Sequence, residues 1–186
     1  MVGILVRPAD GQDSRQAAAV VQAVFEEYGF TWDDSEYFED LYDLESHYLD
    51  KGHRFWIAEF NGKVVGTVGL EFFGAFPGRI GDLFLDETQT RAAGSDCSLE
   101  RLYVHPGARR HGLGGLLMEQ VLREARTERR KCLEIWSDKR FTDAHRLYGK
   151  FGAVQVGDRI CDDPDLSPEW GLVIDLGTSL IPSSVD

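Results

Sequence analysis

The stretch Leu99-Glu100-Arg101-Leu102-Tyr103-Val104-His105-Pro106-Gly107-Ala108-Arg109-Arg110-His111-Gly112-Leu113-Gly114-Gly115-Leu116-Leu117-Met118 decides how this chain folds and what it can bind. It reads as an apolar strand, a basic glycine turn and the opening turns of an amphipathic helix. Such a turn aims several free backbone N–H groups at one spot, and the helix dipole adds partial positive charge there. That spot is an anion site, most simply for a phosphate or pyrophosphate.

Spacing separates the known phosphate loops. The P-loop needs Lys and then Ser or Thr after its last glycine, whereas Gly114-Gly115 run into Leu116 and Leu117. The dinucleotide fingerprint needs a third glycine three residues after the second; counted from Gly112 and Gly114, that position is Leu117. These gaps weigh against a nucleotide-binding protein of another fold. The surviving pattern is Arg109-x-x-Gly112-x-Gly114, directly after a strand ending Leu102-Tyr103-Val104. It resembles the coenzyme A loop of the GNAT acetyltransferase superfamily, whose signature is Gln/Arg-x-x-Gly-x-Gly/Ala.

The rest of the chain agrees with one globular domain. Its 186 residues suffice to bury a real core, and no apolar run approaches membrane-spanning length. Met1-Val2-Gly3-Ile4-Leu5-Val6-Arg7-Pro8 is too short and wrongly built for a signal peptide, and reads as a first strand. Cys97, Cys132 and Cys161 are odd in number and lack metal spacing, so free thiols in a reducing cytoplasm are expected. The five histidines, His47, His53, His105, His111 and His145, likewise lack metal spacing, and no metal is expected. The net charge of −12 disfavours nucleic acid, whose binding rests on neutralising phosphates. It would steer a cationic amine, and equally serves solubility.

Periodicity gives the elements. A strand is expected at residues 3–7 and a helix at 12–28, where Ala17, Val20, Val21, Val24 and Phe25 recur at helical spacing. A second helical stretch covers about 36–50, and strands Phe55–Phe60 and Val64–Phe72 flank an Asn61-Gly62 turn. Residues 73–97 read as a long irregular loop with a short strand near Leu83–Leu85. After Ser98–Val104 come a helix at 112–126, with Leu113, Leu116, Leu117 and Val121 on one face, and a strand at 132–137. A helix at 142–151 closed by Gly152 follows, then strands at 153–157 and 169–176. This α/β (α+β) order predicts a twisted, mixed, mostly antiparallel sheet of about seven strands with helices on both faces. It is also the element order of the GNAT fold, so the resemblance spans roughly residues 3–176. Residues 1–176 are read as that domain and 177–186, with Thr178–Asp186, as a loose tail.

A second motif supports the resemblance. Arg140-Phe141-Thr142-Asp143-Ala144-His145-Arg146-Leu147-Tyr148-Gly149-Lys150-Phe151-Gly152 is similar to the superfamily's Asn-x-x-Ala-x-x-Leu-Tyr-x-x-x-Gly-Phe segment. Ala144, Leu147, Tyr148 and Gly152 match, while Phe141 stands where the family often has Asn and Ala153 where it has an aromatic. The resemblance implies transfer of an acetyl group from acetyl-CoA to the primary amine of a small molecule or peptide by direct attack. It implies that Leu102 and Val104 offer backbone groups to the pantetheine arm, with the Val104 N–H facing the developing oxyanion. The pyrophosphate would rest on the N–H groups of Arg110, His111, Gly112, Leu113, Gly114 and Gly115, with Arg109 and Arg110 adding charge. Tyr148 would protonate the leaving thiolate; a phenol of pKa about 10 remains protonated at neutral pH. Taken alone, each of these has a plainer reading: a surface arginine pair, a core aromatic, an ordinary tight turn.

An amine of pKa about 10.4 must lose a proton before it attacks. Many family members place a Glu where this chain has Ser98, so the base must lie elsewhere. Glu100, read as sharing strand parity with Ser98 and Leu102, is one candidate and Glu71 on the preceding strand is the other. The acidic run Asp33, Asp34, Glu36, Glu39, Asp40 and Asp43, with Trp32, Tyr37 and Phe38, is read either as a solvated helix entry or as an acceptor-attracting wall. A catalytically silent acyl-CoA-binding or regulatory module of the same fold is the competing reading. Family members often dimerise through sheet edges or C-terminal strands, which leaves a homodimer open. The identity of the amine is not legible.

Overall fold

The computed structural model describes residues 3–33, 36–86 and 88–177, so the tail Thr178–Asp186 and Asp34 lie outside the described residues. In chain order the elements are β1 (Ile4–Pro8), α1 (Ser14–Tyr28), α2 (Glu39–Tyr42), β2 (Arg54–Phe60), β3 (Lys63–Phe72), β4 (Leu83–Leu85), β5 (Thr90–Ala92) and β6 (Cys97–Val104). They continue with α3 (Leu113–Thr127), β7 (Cys132–Asp138), α4 (Thr142–Lys150), β8 (Val154–Ile160) and β9 (Pro168–Asp175). Seven strands form one sheet in the order β1-β2-β3-β6-β7-β9-β8. Every neighbouring pair is antiparallel except β6 and β7, which run parallel. The mixed, mostly antiparallel sheet with helices on both faces is as the periodicity predicts.

Strand alternation assigns the two faces. Phe55 and Ile57 point into a cluster with Ala17, Val21 and Phe25 of α1 and with Phe38, Leu41 and Tyr48. Trp56 and Ala58, one residue out of phase, join Leu117, Val121 and Ala125 of α3 on the other face. Within α3, Leu116 is largely exposed and Met118 takes a buried place instead. The β2–β3 turn uses Asn61 and Gly62 at φ 51° and 75°, the left-handed pair that a twisted two-residue hairpin needs.

Two segments differ from expectation. The stretch 36–50 is not one helix: a 3₁₀ turn at Glu36–Phe38, the short α2 and a π turn at Glu45–Leu49 replace it. Asp43 breaks it, at φ −143° and ψ 72°, and its carboxylate accepts the Ser46 N–H at 3.1 Å, starting a new turn. Residues 73–97 hold a hairpin, with Leu83 opposite Ala92 and Leu85 opposite Thr90. Its anchor is Glu134 of β7, whose fully buried carboxylate accepts Arg91 Nε at 2.6 Å, the Ala92 N–H at 2.8 Å and Ser95 Oγ at 3.2 Å.

Candidate active site

One irregularity in β6 creates the site. Thr67 pairs with Tyr103 and Gly69 with Glu100, so Val68 alone faces both Arg101 and Leu102. The extra residue is Arg101, at φ 47°, and its carbonyl accepts the Thr67 hydroxyl at 2.7 Å. A bulge of this kind bends the strand. Accordingly β6 and β7 pair only where Cys97–Leu99 meet Leu133–Ile135, and then part. The bulge also flips side-chain parity. Leu99 packs on the α3 face, and so do Leu102 and Val104, whereas Tyr103 joins the α1 face. Glu100 does not share a face with Leu102, contrary to the parity expected from an unbroken strand; its Cβ lies beside Gly69, near Tyr48 and Phe55.

The gap opens into a cavity of about 740 Å³, lined at one end by the glycine turn and at the other by Glu71, Ser98 and Glu100. Backbone alternation orients its wall. The His105 N–H donates to Val65 O at 2.8 Å, toward β3, so the Val104 N–H one residue earlier points across the split. Leu102 shares that direction.

At the turn, Arg110 and Gly112 adopt left-handed φ values of 70° and 79°, and Gly112 caps α3. Leu116 is the first residue whose N–H bonds back into the helix, to Gly112 O at 3.1 Å. The N–H groups of Leu113, Gly114 and Gly115 are thus the ones a helix start leaves for an external acceptor. A Cβ on Gly114 would stand 3.1 Å from Leu147 Cδ2, so this small residue lets α3 approach α4 closely. The arginines divide. Arg109 is held by Glu27 of α1 at 3.0 and 2.5 Å, with Nε at 3.4 Å from Val104 O. Arg110 lines the cavity. The His111 ring rests on Phe60 at 4.7 Å, with Nδ1 3.2 Å from Ala108 O, which leaves its backbone to the turn.

Tyr148 is buried in the cavity wall. Burial pushes its phenol well above the usual tyrosine range, partly opposed by a hydrogen bond with Ser137. Ser137 Oγ also lies 3.1 Å from His145 Nε2. Phe141 packs edge-on against Tyr28, with ring centroids 4.8 Å apart, and against Phe30 at 5.5 Å. An aromatic anchor thus fills the place where the family often has Asn.

At the other end, burial and then the charge of Glu71 push Glu100 up to about 8, while a hydrogen bond from Ser98 pulls it down; Ser98 Oγ donates to Glu100 Oε1 at 2.5 Å. Of the acidic run, Asp40 is committed to Arg101, at 3.0 and 2.8 Å, and accepts Tyr48 Oη at 2.8 Å. Phe38 is fully buried and Trp32 stacks on it at 4.1 Å, so of the three aromatics only Tyr37 reaches the cavity. The sequence reading missed the three arginines of this end, Arg91, Arg101 and Arg159. One signal was available: an adjacent charged pair, Glu100 and Arg101, set between Leu99 and Leu102 within a strand.

The family model described as Acetyltransferase (GNAT) family matches residues 17–153. The uncharacterized N-acetyltransferase YjgM of Escherichia coli strain K12 is 28% identical over 143 residues, 76% of this chain and 76% of that protein. Among solved structures, a GNAT-family acetyltransferase from Staphylococcus aureus Mu50 superposes with a TM-score of 0.73 at 18% identity, covering 94% of this chain and 99% of the other. The ribosomal-protein-alanine N-acetyltransferase from Brucella melitensis gives 0.68 at 19% identity, covering 92% and 99%. At such identities the two structures speak for the fold, and the family match for the chemistry. With its parted strands, a helix start whose glycine cap offers no side-chain acceptor, and this family match, the chain belongs to the acetyltransferase (GNAT) family and is an acyltransferase.

Proposed function

We propose that this protein transfers the acetyl group of acetyl-CoA to a primary amine by direct attack. The observation that carries the reading is one cavity with two chemically different ends. A helix start with outward N–H groups lies at one end, and the Glu71 and Glu100 carboxylates, the second raised by burial, lie at the other. The residues fit the coenzyme: Leu113, Gly114 and Gly115 would hold its diphosphate through main-chain N–H groups, with Arg110 nearby. When bound, the coenzyme supplies an activated acetyl thioester.

The chain's own groups divide the remaining work. Glu100 takes a proton from the acceptor ammonium, and its pKa of about 8 suits it to that task better than an ordinary carboxylate. Glu71 is the source of the like charge that raises it. The Val104 N–H donates to the carbonyl oxygen as negative charge develops there, a contribution of about 3 to 4 kcal/mol for one such donor. The amine nitrogen gains a bond to the acetyl carbon, the carbon–sulfur bond breaks, Tyr148, kept protonated by burial, donates to the departing sulfur, and the second proton shed by the new amide nitrogen restores the phenol.

The test is a screen of primary amines with acetyl-CoA, read by free-thiol release, with Tyr148→Phe as control and calorimetry of coenzyme A against ATP and NAD. Amine-dependent thiol release that the variant slows supports the reading. Binding of coenzyme A without release from any amine would favour a silent binding module, and preference for ATP or NAD would remove the coenzyme assignment.

A further inference from the structure

Three arginines around the acceptor end share one construction, although they come from three different strands. Arg101 of β6 is bonded along one edge to Asp40 and the Tyr37 carbonyl, with Tyr37 against its face at 4.5 Å. Arg91 of β5 is bonded to Glu134 and lies against both Phe73 and Phe76, at 4.9 and 4.8 Å from their ring centroids. Arg159 of β8 is bonded to Glu169 at 2.7 Å and stacks on Trp136 at 4.3 Å. Their side chains are only 10%, 15% and 13% exposed, yet all three line the cavity. Among the described residues, Nη1 of Arg91 and Nη1 of Arg101 have no hydrogen-bond partner.

Buried ion pairs are poor sources of stability, because desolvation offsets their attraction. Three of them around one cavity, each guanidinium fixed by a carboxylate at one edge and an aromatic at its face, make sense as preorganised donors. Each brings its own counter-charge, so together they add directed N–H groups without adding net charge. The electric surroundings of Glu100 name its neighbours: Glu71 first among the charges, then Arg101, then Arg91. Glu71, Glu100, Arg91 and Arg101 all line the one cavity, so two guanidinium groups with an uncommitted Nη1 share it with the carboxylates proposed to receive the amine.

Resting on the proposed transferase reading, we infer that the acceptor is a zwitterion, an amine with a carboxylate a few atoms away as in a free α-amino acid. Its ammonium group meets Glu71 and Glu100, and its carboxylate takes the N–H edges of Arg91 and Arg101. A planar guanidinium edge matches a carboxylate better than a point charge does.

The experiment compares matched acceptors on the intact protein: free α-amino acids, the corresponding amino acid amides, and diamines of similar length, all by thiol release. The expected result is a kcat/KM at least tenfold higher for an amino acid than for its amide or for any diamine. Arg91→Lys should raise the amino acid KM at least tenfold and leave the acetyl-CoA KM unchanged. Because loss of Arg91 strands Glu134, the double variant Arg91→Gln with Glu134→Gln, checked for an unchanged melting profile, should show the same split. Amides or diamines used as well as amino acids, or folded variants with an unaltered acceptor KM, overturn the inference while leaving the transferase intact. Absence of turnover with every amine, despite coenzyme binding, removes both.

Discussion

The two ends of the cleft are built by opposite strategies. The end proposed for the coenzyme is made of main chain, from one continuous stretch: the Leu102–Val104 edge, the glycine turn and the first turn of α3. The end proposed for the acceptor is made of side chains drawn from β3, β5, β6, β8 and the α2 region, and two of its arginines are held by partners distant in sequence. Glu134 reaches Arg91 across 43 residues and Asp40 reaches Arg101 across 61. Backbone donors cannot be changed without refolding the loop, whereas side chains can be exchanged singly. One end is suited to a constant ligand and the other to a variable one.

The sharpest way to break this contrast is Glu100→Gln. If the acceptor end carries the proton chemistry, kcat/KM should fall about 10³-fold, with the acetyl-CoA KM unchanged. A loss below tenfold would mean that the carboxylate end is only structural. Tyr148→Phe should lower kcat by about 10²-fold without moving the pH–rate profile, since its phenol does not titrate in the working range. Gly112→Ala tests the other end. A Cβ meets no atom within 4 Å there, but the left-handed backbone disfavours any side chain by about 1–2 kcal/mol. The acetyl-CoA KM should rise about tenfold, the equivalent of about 1.4 kcal/mol, and the acceptor KM should hold.

Finer effects concern protons. The rate should rise with pH as Glu100 ionises near 8. Glu71→Gln removes the like charge, so the apparent pKa should move down, to be read from a pH–rate profile. The raised Glu100 value also works against stability. Below the ordinary carboxylate value of 4.5 the group is protonated in folded and unfolded chains alike. As pH climbs from there toward 8, only the unfolded chain gains by ionising, and stability is lost. Glu100→Gln should therefore melt a few degrees higher than the parent at pH 8.5, where about 1 kcal/mol corresponds to roughly 2–4 °C. The difference should vanish at pH 4, as calorimetry would record.

The same contrast explains what could be read from the sequence. The glycine turn and the helix start after it were legible because their signal is contiguous: glycines at fixed offsets after an apolar strand leave little choice of conformation. The sheet was legible because period-two runs such as Phe55–Phe60 and the Asn61-Gly62 turn act locally. The acceptor end was not. A bulge adds one residue to a strand and leaves no composition signal, so Leu102 and Glu100 fell on the wrong relative faces. Asp43 gave no warning that it would split the 36–50 helix, because its break depends on a side-chain bond to Ser46. The hairpin over the cavity has no alternating pattern of its own and is held by Glu134, far along the chain. Arg109 illustrates the same limit: its motif position points to the anion loop, but its bond to Glu27 comes from tertiary packing.

The seat of that hairpin has a practical consequence. Leu83 nests where Gly157 of β8 has no side chain; a Cβ there would fall 2.6 Å from Leu83 Cδ1. A single methyl at position 157 would have to displace that leucine tip, so the seating on β8 of the hairpin that carries Arg91 depends on the absence of one carbon.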